Sequence, residues 1–174
     1  MQAIVITLSR GLAVVARIAL WISGTGLVLM TAAVAWQVFG RYVLNATPIW
    51  TEVTAVLLMG WFIFLGAAVG IREGYHLSFD ILLYILPQRV KLILFTISDL
   101  LVGIFALGMT LYGIQLAQGT WSNTISGIGL PSGVAFFALL TGGGLIMIFS
   151  FERVARRLVG LPTARFGETE LTED

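Results

Sequence analysis

Of 174 residues, 58% are hydrophobic and 11% are charged, and the mean hydropathy is +0.97. An ordinary soluble domain is about a quarter charged, so this composition excludes a soluble globular domain and points to an integral membrane protein. The net charge of +1 says little about partners, and no nucleic-acid partner is expected. With no cysteine, a disulfide framework, a thiolate nucleophile and a cysteine-ligated metal site are all excluded.

The first spanning helix is expected from about Ile18 to Phe39, inside an uncharged run of 23 residues between Arg17 and Arg41. A bilayer core of about 30 Å needs roughly 20 apolar residues of helix. The run ends near "AVA" at 33–35, which mimics a signal-peptide cleavage site. Its length exceeds a signal core, and Met1 is still present, so the segment is expected to stay as a span. The leading stretch "AIVITLSRGLAVVAR" is also apolar. Its Arg10 and Arg17 lie seven apart on one helical face, and the stretch either lies in the interface or extends the span.

The second span is expected from about Pro48 to Ile71. Pro48 suits a first helical turn and Thr47 an N-cap. In "REGYHLSFDILLYILPQRVK", 72–91, the apolar part is too short to cross. With Ser78 as a cap and Asp80 near the positive end, it predicts a short helix at the membrane surface.

The third span runs from about Val90 to Leu116 and contains Asp99. A Gly-, Ser-, Asn- and Thr-rich loop follows over 117–133. The fourth span runs from Pro131 to about Phe151, with "TGGG" at 141–144 in its middle. Gly142, Gly143 and Gly144 mark a close-contact or bending site. The helix continues into "ERVARRL", where Glu152 and Arg156 are one turn apart. The expected fold is therefore all-α: one four-helix transmembrane domain over 1–160, then an acidic, flexible tail over 161–174.

Lysine and arginine placement orients the chain. Nine of the ten fall at one end of this arrangement, and only Arg41 at the other. By the positive-inside rule both termini and the 72–91 loop face the cytoplasm, and the 40–48 and 117–130 loops face outside. Trp36, Tyr42, Trp50 and Trp121 then gather at the outer interface as an aromatic belt.

Few residues can carry chemistry. Glu52, one turn into an apolar helix, is either a carboxylate favoured by the helix dipole and paired with Arg41 across the hairpin, or an ion or proton site. Its position near water favours the first. Asp99 lies eight residues past Lys91, about 12 Å along the helix. As an anion it cannot face lipid cheaply. It must meet a partner group, take up a proton or sit in a wet crevice, and the partner can belong to another subunit. His76 is the only histidine, a poor basis for a metal site. No phosphate loop or nucleophile motif is present, so neither enzymatic activity nor a cofactor is expected. No inverted repeat or pair of broken helices marks a transporter's own binding site.

Three stretches carry a family resemblance. The first is "RYVLNATPIWTE" leading into "MGWFIFLGAAVGIREGYHLSFDIL". The second is "LPQRVK", and the third is the Thr/Ser-rich loop ending in "GLP". In this order, over residues 36–135, the chain resembles the small membrane subunit of tripartite ATP-independent periplasmic (TRAP) transporters. It departs where many members carry a second acid, since Val53 follows Glu52. The resemblance implies residence in the bacterial inner membrane and two partners. One is a large membrane subunit holding the sodium and substrate sites, and the other is a periplasmic solute-binding protein. It implies small organic acids as substrates, with this subunit as the fixed support of an elevator. Arg41, Trp50, Glu52, Asp99 and Gly142–Gly144 are then structural or partner-interface candidates rather than substrate ligands. The competing expectation is a self-contained oligomeric transporter or channel that uses Glu52 or Asp99 directly.

Overall fold

The computed structural model describes residues 2–74, 87–161 and 163. These residues form α1 (Gln2–Tyr42), α2 (Ile49–Arg72), α3 (Gln88–Gly119), a 3-10 turn (Ser132–Phe136) and α4 (Phe137–Leu158). Four helices among them are long and apolar enough to cross a membrane. The expected interfacial helix, with His76 and Ser78, lies outside the described residues, as does most of the tail.

Helix α1 is continuous, so the leading apolar stretch belongs to the same helix as the first span. Its 41 residues measure about 60 Å, twice the hydrocarbon thickness. No proline interrupts it. It stops where Asn45 turns left-handed at φ 50° and the Ala46 amide bonds back to the Gly40 carbonyl at 3.0 Å. The start of α2 differs from expectation. The capping position is Pro48, in extended conformation and without a side-chain cap, rather than Thr47. Instead, the Thr51 hydroxyl donates to the Pro48 carbonyl at 2.6 Å. At the other end of α2, Gly74 takes φ 80° and its amide donates to the Ile71 carbonyl, a glycine stop.

Across the molecule the helices run in the order α1, α2, α4, α3, with α2 and α4 central. Between lipid-bathed helices the hydrophobic effect offers little drive, so small residues that allow close packing carry more weight. The buried stripe on α1 is Ala16, Ala19, Ser23 and Gly26, spaced three and four apart on one face. Against it the Ser23 hydroxyl donates to the Phe62 carbonyl of α2 at 2.9 Å. The shared core joins Ala16 and Ala19 to Leu65, Ala68, Val69, Ala106, Ile146 and Phe149. Large apolar side chains such as Trp21, Val28, Phe105 and Tyr112 point outward instead, as lipid-facing residues do.

The loop after α3 is ordered by its own backbone. Thr124 and Pro131 form an antiparallel bridge, with Ser132 N–H to Asn123 C=O at 2.7 Å. Gly127, at φ 96°, lies against Ile49, so this loop rests on the start of α2.

Candidate functional site

Charge buried in a membrane protein needs a partner, and here the partners form a network at the ends of α2, α3 and α4. Asp99 is fully buried, with 0% of its side chain exposed. The Arg153 Nε lies 3.2 Å from both of its carboxylate oxygens, and Arg157 Nη2 lies 2.5 Å from Oδ2. Beside this triad, Arg72 grips Glu152 with two donors: Nε at 3.2 Å and Nη2 at 3.3 Å. Two backbone contacts join the parts. Arg153 Nη1 donates to the Arg72 carbonyl at 2.9 Å, and Arg72 Nη2 donates to the Ser9 carbonyl of α1 at 3.3 Å.

All four helices therefore meet in one set of charge-assisted bonds. The planar, always-charged guanidinium suits this task, since its fixed fork can serve two acceptors at once. Arg72 and Arg157 also lie over Phe149 and Phe95, at 5.7 and 5.6 Å from the ring centroids, adding cation–π attraction where water is scarce.

Asp99 thus finds its partner within the chain. Arg153 and Arg157 were missed as that partner, and so was the Arg72–Glu152 pair. A matching depth was the available signal: Asp99 lies about three turns into α3, and Arg153 and Arg157 lie in the last turns of α4. The expected Glu152–Arg156 contact is present at 3.9 Å.

The outer candidates are arranged differently. Arg41, Trp50 and Glu52 are all exposed. No ion pair joins Arg41 to Glu52 among the described residues, so the cross-hairpin pair does not form in this chain by itself. Trp36 and Trp121 are exposed too, and Trp121 edges a groove of about 420 Å³ with Ile114, Ala117, Gln118, Phe137 and Leu140.

The three glycines of α4 separate by helical phase. A Cβ on Gly142 would collide with the Phe64 side chain of α2. One on Gly143 would press on α3, 3.0 Å from the Thr110 hydroxyl and 3.2 Å from the Ala106 carbonyl, while Gly144 faces open space. Gly142 and Gly143 are therefore the points where α4 meets both neighbours. Among the described residues no three His, Cys, Asp or Glu side chains gather as a metal site requires.

A family model described as "Tripartite ATP-independent periplasmic transporters, DctQ component" matches residues 30–160. The chain is similar to the sialic acid TRAP transporter small permease protein SiaQ of Vibrio cholerae serotype O1, 24% identical over 72% of each chain. It is similar to a putative TRAP transporter small permease protein of Haemophilus influenzae strain Rd, 29% identical over 74% of this chain and 80% of the relative. It also matches the sialic acid TRAP transporter permease protein SiaT of Haemophilus influenzae strain 86-028NP, at 28% identity over 75% of this chain but only 21% of SiaT.

Proposed function

The chain belongs to the DctQ component family, the small membrane subunits of TRAP transporters, and on that premise we propose that it is the fixed support for a large transport subunit. It is a multi-pass protein of the inner membrane. One observation carries the support reading: the buried carboxylates among the described residues, Asp99 and Glu152, are each held by arginines of the same chain. Groups committed to such pairs are not open to a coupling ion or a substrate. They tie four helices into a unit that keeps its shape while something else moves.

The likeness to SiaT supports the partner. There, a stretch resembling this chain makes up about a fifth of a longer permease protein, as expected if small and large subunits work side by side. The names of SiaQ and SiaT specify sialic acid, and we extend to this chain only the class, a small organic acid. Sodium coupling would then belong to the large subunit. The exposed Arg41, Trp50 and Glu52, with the loop that rests on Ile49, would help dock a periplasmic binding protein.

Reconstitution into liposomes under a sodium gradient tests this. Uptake of an organic acid is expected only when this chain, the large subunit and the binding protein are all present. Substrate-specific uptake by this chain alone would overturn the support reading and establish a self-contained transporter.

A further inference from the structure

Two cations of α1 take no part in the buried network. Arg10 and Arg17 are both exposed, and no carboxylate of the described residues pairs with either. Seven residues apart, they lie two turns from each other on one face. Their depth follows from the contacts beside them. Ser9 accepts a bond from Arg72, the last residue of α2, so Arg10 sits level with the end of that span. Ala16 and Ala19, on either side of Arg17, pack in the core with Leu65 and Ala68. Arg17 is thus rooted about 10 Å deeper than Arg10, at a level where an exposed cation must find an anion.

We propose that Arg10 and Arg17 cradle the phosphate of an anionic phospholipid, in the leaflet that meets the N-terminal part of α1. Helical side chains tilt toward the helix N-terminus, which here is the direction of the headgroups. A long arginine rooted in the apolar zone snorkels that way, burying its stem and bringing its guanidinium toward the level of Arg10. Two guanidinium groups then converge on one phosphate, a geometry their paired donors suit.

The rest of the face fits the same molecule. Val14 lies between the arginines, and Trp21 and Val28 continue along the face deeper into the membrane, all three more than half exposed at 58%, 73% and 67%. Charge at the membrane surface followed by an apolar track matches a headgroup with its acyl chain. A partner protein's carboxylate would satisfy the charges as well, but it would not call for this sequence of polar and apolar positions.

The test compares lipid retention by the full-length chain. It is reconstituted in mixed phosphatidylcholine and phosphatidylglycerol, released into detergent, and the retained lipid is measured by native mass spectrometry. Near an anionic surface each cation contributes enough for about a five-fold preference, so the pair should give about 30-fold. Arg10→Gln or Arg17→Gln should each remove about five-fold of the preference for phosphatidylglycerol, and the double variant nearly all of it. Excess inorganic phosphate should not compete, because the apolar track contributes to retention. Lys91→Gln makes the same change in net charge on α3 and should alter the preference little. An unchanged preference in the folded double variant would overturn the proposal. So would an equal loss in Lys91→Gln, or retention abolished by inorganic phosphate. Should the arginine variants fail to fold, a photoreactive residue at Val14 reads the wild-type site directly. Cross-linking to phospholipid is expected in the assembled transporter, and cross-linking to the large subunit instead would refute the site.

Discussion

Asp99→Asn keeps the shape of the side chain, removes its charge and turns one acceptor oxygen into an NH2 donor that faces the arginines. In the structure that charge faces two guanidinium groups, Arg153 and Arg157, whose side chains are 3% and 7% exposed. The substitution leaves two buried cations whose shared anion is gone. Removing one partner of a buried pair costs about 3–5 kcal/mol, against a total stability of about 5–15 kcal/mol for a typical domain. The loss lowers the folded-to-unfolded ratio by two to four powers of ten, roughly. The variant should show a clearly lower thermal midpoint in detergent and poor recovery as a single species by size-exclusion chromatography. The compensated variant Asp99→Leu/Arg153→Met/Arg157→Leu should recover most of the loss, because replacing a whole buried ionic group with apolar residues of similar size is often neutral or better. An unchanged midpoint in Asp99→Asn would refute the structural role. A triple variant no more stable than the single one would show that the loss does not come from stranded charge. Stability retained but ion coupling abolished would return Asp99 to the transport pathway.

Three further outcomes can be checked. Gly142→Ala should destabilise by about 1–3 kcal/mol through overpacking against Phe64, Gly143→Ala should lose less, and Gly144→Ala should fold normally; equal thermal midpoints would contradict the packing. In otherwise cysteine-free protein, cysteines at Asn45 and Asn123 should react with an impermeant thiol reagent added outside, while one at Leu158 should not, and the reverse pattern would invert the topology. Glu52→Gln and Arg41→Gln should leave the thermal midpoint unchanged, since both side chains are exposed and unpaired with each other. Any effect should appear as weaker binding-protein capture, measured by surface plasmon resonance on the assembled transporter. Lost ion coupling with capture intact would refute their docking role.

Hydropathy alone located the four spans, because crossing a bilayer requires long apolar helices whatever they pack against. The same reasoning isolated Asp99 as a residue in need of a partner. That Arg10 and Arg17 share a face is equally legible in the sequence, since a period of 3.6 is a local property. Which groups meet across helices was not local. Arg153 and Asp99 are 54 residues apart, and Arg72 and Glu152 are 80 apart. Those pairings depend on the order α1, α2, α4, α3 and on the rotation of each helix about its axis, neither of which hydropathy encodes. Rotation likewise separates Gly142 and Gly143 from Gly144: successive residues turn by about 100°, so three identical neighbours point at α2, at α3 and at open space.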